Sequence, residues 1–184
     1  MFQRLIPTDV SKENRMIDNA VAHSGDITTS FRAPRALDTI LLGGLTVGIL
    51  DALDAVTFFG LYSKVGPTRI FQYVASGLLG RESFNGGVKT ALLGLALHFL
   101  IAFILTAIYY LASLKLPMLV RRPVLWGMLY GVVAYFGMQY VVIPLSAAAS
   151  GRVSFVSSLN GIIGHALLIG LPIGLSAWRS AKAN

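Results

Sequence analysis

The stretch VKTALLGLALHFLIAFILTAIYYLAS, residues 88–113, decides how the rest of the chain reads. Only His98 interrupts its apolar centre, and Tyr109 and Tyr110 mark one end. As a helix rising 1.5 Å per residue, the run is long enough to cross the ~30 Å of hydrocarbon in a bilayer. Paired tyrosines suit the membrane–water interface. Three further runs follow the same pattern, at residues 37–60, 123–146 and 155–178. The first opens apolar from Thr39 to Leu50 and then meets Asp51 and Asp54. Each carboxylate near the middle of a span costs up to roughly 3 kcal/mol on insertion scales, which the surrounding Leu, Ile, Val and Phe must offset. Pro123 stands at a permitted helix start, and Pro144 lies near the end of the third run. Pro172 predicts a kink in the fourth. The expected fold class is all-α: a four-helix transmembrane bundle.

Composition agrees. Of 184 residues, 55% are apolar and 12% charged. A soluble domain this short could not hide that much apolar surface, whereas a bilayer removes the need to hide it. The net charge of +7 does not indicate nucleic acid, because the basic residues fall between the apolar runs instead of along one polar face. The chain has no cysteine, which excludes disulfides, thiolate metal sites and cysteine catalysis. No cleavable signal peptide and no lipidation motif are visible.

The expected organisation is a polar arm over residues 1–35 and a single transmembrane domain over residues 36–180. Thr8 or Ser11 is placed to cap a short helix in the arm. Between the first two spans, residues 67–80 read as a short amphipathic helix with an apolar side of Ile70, Phe71, Val74, Leu78 and Leu79. About 14 residues cannot cross the hydrocarbon, so this helix should be interfacial or re-entrant. Gly86 and Gly87 close it. Lys and Arg number 5, 3 and 2 in the arm, the 114–122 turn and the tail, against 4 and 1 in the two opposite loops. That excess places both termini in the cytoplasm.

Three pairs, Gly44/Gly48, Gly127/Gly131 and Gly170/Gly174, have small-xxx-small spacing, which lets helix backbones approach closely. They serve either packing within the bundle or a homo-oligomer interface.

Depth counting brings polar residues from all four spans to one level in the outer half: Asp51, Asp54, His98, Gln139 and His165, with Asn160 nearby. Each is costly against lipid, so they should face the interior and one another. Asp51 and Asp54, three apart, share a helix face, and two close carboxylates in a low dielectric do not both ionise easily. Gly94 and Gly161, one turn before His98 and His165, clear space beside each imidazole. Such a cluster has three readings. It ties helices together. It binds or relays a proton, a cation or a small polar substrate. Or the histidines are axial ligands of a b-type haem. The cofactor is otherwise unknown, and no zinc spacing such as HExxH occurs. In the loop, Arg69, Arg81 and Glu82 offer a second group: an arginine reaches Asp51 or Asp54 if the short helix re-enters, or else meets headgroups and water. No nucleophile elbow and no phosphate-binding loop is present.

Several residues carry a family resemblance. They are His98-Phe-Leu-Ile-Ala-Phe103 followed by Tyr109 and Tyr110, Pro117 in the short turn, Gly127 and Gly131, Ile143-Pro-Leu-Ser146, and Gly164-His165. This pattern, across about residues 90–180, resembles the YagU-like bacterial inner-membrane proteins. The resemblance implies a multi-pass inner-membrane protein with no established activity, and His98 and His165 match the family's histidine positions. It does not extend to Asp51 and Asp54. The expected function is therefore non-enzymatic: a polar intramembrane cluster that supports the bundle and passes protons or a small cation. The alternative is an accessory or assembly subunit of a larger membrane complex. The expected partner is the lipid bilayer, and no nucleic acid.

Overall fold

The computed structural model describes Arg15, residues 33–148 and residues 153–182. The arm helix expected behind Thr8 or Ser11 lies outside the described residues. The chain divides into two units, Met1–Phe31 and Arg32–Asn184, and the second carries every element below.

Among the described residues there are helices and no strand. Four helices are long and apolar enough to cross a membrane: α1 (Asp38–Tyr62), α3 (Gly87–Lys115), α4 (Pro123–Leu145) and α5 (Phe155–Lys182). The short helix α2 (Pro67–Leu79) joins α1 to α3, followed by a 3₁₀ turn over Gly80–Asn85. Leu, Ile, Val and Phe side chains are exposed along all four long helices. In water that surface would drive aggregation, and in hydrocarbon it is the expected exterior. The chain is a multi-pass membrane protein, and the all-α four-helix architecture read from the sequence is the one observed.

Helix α1 lies between α3 and α5 and runs antiparallel to both. Against α3, Gly44 fits over Phe103, and Gly48 over Phe99. Against α5, the Thr39 and Ser180 hydroxyls are 2.7 Å apart. Helix α4 packs on the other side of α5, backbone to backbone. A methyl group on Gly131 would run into the His165 carbonyl, and one on Gly174 into the Pro123 carbonyl. On Gly127 it would come within 2.6 Å of the Gly170 carbonyl. The glycine pairs of α4 and α5 are therefore spent on each other, and those of α1 on the aromatic rings of α3. This is packing within one bundle.

The core closes around Val47, Ala102, Tyr109, Ile169, Ile173 and Ala177. Helices α3 and α4 meet through tyrosines. The Tyr130 hydroxyl donates to the Leu105 carbonyl at 2.7 Å, and the Tyr109 and Tyr130 rings meet edge to face.

Both interior prolines follow a widened, π-type helical turn: Met138–Val142 before Pro144, and His165–Gly170 before Pro172. A proline ring clashes with the carbonyl four residues earlier and supplies no N–H. The carbonyls concerned belong to Tyr140 and Leu168, inside the wide turns, where the i→i+5 pattern makes room.

Helix α2 crosses α3 at Gly94. A methyl group there would strike the Phe71 carbonyl, and Ala75 N would lie 3.1 Å away. Gln72 donates to the Gly87 carbonyl at 3.0 Å, and Thr90 to the Ser83 carbonyl at 2.6 Å. Lys89 and Thr90 make the first turn of α3 polar, and from Ala91 to Tyr110 the helix rises about 29 Å, close to the hydrocarbon thickness. The crossing at Gly94 is three residues, or about 5 Å, inside that segment. Helix α2 thus crosses α3 near one end of its apolar run, as an interfacial or a re-entrant helix would.

Gly131→Val should force α4 and α5 apart and cost about 1–3 kcal/mol or more of stability. Gly137, where an added methyl group would meet no atom within 4 Å, is a matched control. Gly137→Ala should leave stability unchanged or raise it by up to about 1 kcal/mol. Unfolding curves in detergent micelles measure both.

Candidate functional site

Asp51 continues the glycine face of α1 toward α3, and Asp54 turns toward α5. Asp51 and Asp54 lie one and two turns beyond Gly48, toward the end of the bundle that carries α2. From α3, His98 reaches across: its Nε2 is 2.9 Å from the Gly48 carbonyl, and its Nδ1 is 3.9 Å from Asp51 Oδ2. A carbonyl only accepts, so Nε2 carries the hydrogen. In a neutral ring Nδ1 is then the lone-pair nitrogen, and it is the one nearest the carboxylate.

From α5, Asn160 Nδ2 donates to Asp54 Oδ2 at 3.0 Å. The same oxygen sits over Gly164, where a methyl group would come within 3.2 Å. His165 follows Gly164 on the same helix, its carbonyl faces Gly131 and its ring faces Tyr135. Two polar contacts thus link the spans, His98 with Asp51 between α3 and α1 and Asn160 with Asp54 between α5 and α1.

The two glycines that precede the histidines by one turn do clear space, and aromatic groups fill it. The backbone of Phe71 occupies the room at Gly94, and its ring meets His98 edge to face at 6.2 Å. Tyr135 of α4 occupies the room at Gly161 and meets His165 edge to face at 5.3 Å. Tyr135 continues the Gly127/Gly131 face at a spacing of four, which was a usable signal in the sequence. Phe71 carried none beyond its place on the apolar side of α2.

Three expectations need correction. First, the Asp/His cluster is not buried in the interior as expected: Asp51 and His98 side chains are 25% and 13% exposed, and all five residues are only half-buried. Glycines at 161 and 164 add no side chain to cover the carboxylates. Second, Gln139 does not join. It lies in the wide turn of α4, half-buried, and makes no hydrogen bond with another described residue. Third, the loop residues do not reach the carboxylates. Arg69 stacks over the Phe84 ring at 4.0 Å, Glu82 accepts a hydrogen bond from Asn85, and Arg81 is exposed.

The fully buried polar side chains lie elsewhere: Thr39, Thr106, Ser113 and Ser180 at the end that carries the termini, and Gln72, Ser76 and Ser83 around α2. Thr106 donates to the Ala102 carbonyl, Ser113 to that of Tyr110 and Ser180 to that of Ala177, which is how helices satisfy hydroxyls internally.

Among the described residues no three His, Asp or Glu side chains converge as a metal ion requires. Haem ligation by His98 would use Nε2, and that atom is engaged by the Gly48 carbonyl. The donor set therefore does not fit the haem reading.

Asn160→Leu should remove the hydrogen bond to Asp54 and lower stability by about 1 kcal/mol. Gln139→Leu, which breaks no contact, should leave stability within ~0.5 kcal/mol of wild type. Unfolding by denaturant titration in micelles separates the two. Comparison with known proteins found no matching family model, no matching curated protein and no matching solved structure.

Proposed function

We propose that this chain is a non-enzymatic protein of the bacterial inner membrane whose carboxylate–imidazole layer passes protons, or a small cation, within the half of the bilayer opposite its termini. The lysine and arginine distribution supports a cytoplasmic location for both termini, and the resemblance of residues 90–180 to the YagU-like proteins supports the compartment and membership of that family.

The observation that carries the reading is Asp51 Oδ2 lying 3.9 Å from Nδ1 of His98, a carboxylate and an imidazole facing each other between two spans, with Asp54 bonded to Asn160 of a third. Ionisable groups inside a span are expensive, and they are kept where protons or ions are handled. Here the chemistry is matched to exchange. His98 presents Nδ1 to Asp51 while its Nε2–H is anchored on the backbone. A proton on Asp51 would pass to His98 once that 3.9 Å gap closes or a water bridges it, and His165, next to the Gly164 that packs under Asp54, is the second imidazole the relay would use. Asp54, tied to Asn160, is a second carboxyl group beside the exchanging one. The same contacts hold α1, α3 and α5 together, so the layer supports the bundle as well.

Reconstituted protein in proteoliposomes with an internal pH dye tests this. Wild type should dissipate an imposed pH gradient faster than empty vesicles. Asp51→Asn and His165→Ala should each remove most of that flux, while Gln139→Leu keeps it. No flux above empty vesicles, or equal flux in all variants, would overturn the proposal. Loss of thermal stability in Asp51→Asn and His165→Ala with unchanged flux would leave only the supporting role.

A further inference from the structure

Four basic residues lie in and beside the segment between α1 and α3: Lys64, Arg69 and Arg81 within it and Lys89 in the first turn of α3. All four are exposed. The ion pairs among the described residues are Arg35 with Asp38 and His98 with Asp51, so none of the four has a carboxylate partner there. The one acid in the segment, Glu82, is hydrogen-bonded to Asn85 at 3.3 Å. Arg69 is held over the Phe84 ring, which fixes the direction of its guanidinium.

Apolar groups flank these charges. Tyr73, Leu78 and Leu79 of α2 and Val88 of α3 are exposed. Helix α2 buries Gln72, Ala75 and Ser76 against α3 and so turns Tyr73, Leu78 and Leu79 outward. A surface that offers cations without counter-ions, beside acyl-sized apolar side chains at the level of the interface, is complementary to one class of molecule. We propose that this segment binds anionic phospholipid: the headgroup phosphate meets Lys64, Arg69, Arg81 and Lys89, and the acyl chains lie along Tyr73, Leu78, Leu79 and Val88.

Charge complementarity favours lipid over an acidic soluble protein, because such a partner would leave the flanking apolar side chains uncovered. Lipid binding at this segment does not depend on proton transfer at Asp51.

Tyr73→Trp places a reporter on α2. The native tryptophans, Trp126 and Trp178, lie at the opposite end of the bundle, in the first turn of α4 and near the end of α5. In phosphatidylcholine nanodiscs doped with brominated lipid, the added fluorescence should be half-quenched at a mole fraction of brominated phosphatidylglycerol about fivefold lower than of brominated phosphatidylcholine. The preference should shrink in high salt. It should vanish in a variant that adds K64Q, R69Q, R81Q and K89Q. Equal quenching by the two lipids in Tyr73→Trp alone would overturn the proposal, and that comparison needs no variant of the basic residues to fold. A preference that survives the four substitutions would overturn the assignment to these residues.

Discussion

Hydrocarbon offers no hydrogen-bond partner, and every polar atom placed in it must find one within the protein. That constraint organises this bundle. At the end carrying the termini it is met by neutral groups. Thr39 pairs with Ser180, Thr106 and Ser113 return their hydroxyls to their own helix, and the Tyr109 and Tyr130 hydroxyls close on the Leu119 and Leu105 carbonyls. These contacts need helices close enough for short side chains to span the gap. The glycine faces of α1, α4 and α5 provide that approach.

At the other end the same constraint is met by groups that can carry charge. Three of the four helices that share the hydroxyl layer also carry Asp51, Asp54, His98, Asn160 and His165, and are joined there by His98 with Asp51 and Asn160 with Asp54. A neutral layer is fixed once formed, because its protons have nowhere else to go. A carboxyl group facing an imidazole has two proton arrangements, on the oxygen or on the nitrogen. The two ends therefore differ in chemistry though the packing around them is alike.

Much of this was legible in the sequence, for physical reasons. Long apolar runs report a span directly, since few other structures tolerate them, and the 3.6-residue period of Ile70, Phe71, Val74 and Leu78 marked α2. Depth counting put His98 opposite Asp51 and Asn160 opposite Asp54, and the single interior cluster expected of all the polar residues is not formed. Gln139 has the right depth and the wrong bearing. Depth along a helix can be counted, but its rotation about the axis depends on packing, and the wide turn at Met138–Val142 changes the count. The loop arginines were ambiguous because their reach depended on the placement of α2. That placement rests on the fit of the Phe71 carbonyl over Gly94, a contact between backbones that no side-chain pattern announces. The Thr39–Ser180 pair was hidden because a lone threonine or serine in an apolar run bears no signature of its partner.

The wide turn ahead of Pro172 has a consequence for how α5 meets its neighbours. Gly161 and Gly170 both face α4, one under Tyr135 and the other against Gly127 and Gly131. In an unbroken α-helix at about 100° per residue, nine residues would set them about 180° apart, on opposite sides. The π-type turn winds more slowly and takes back roughly 100° of that rotation, which swings both toward the same neighbour. The proline thus acts as a phase corrector for the whole helix. Removing one residue from that turn would restore uniform winding and swivel the Asn160–Gly164 segment off Asp54, dismantling the charged layer without touching any of its members.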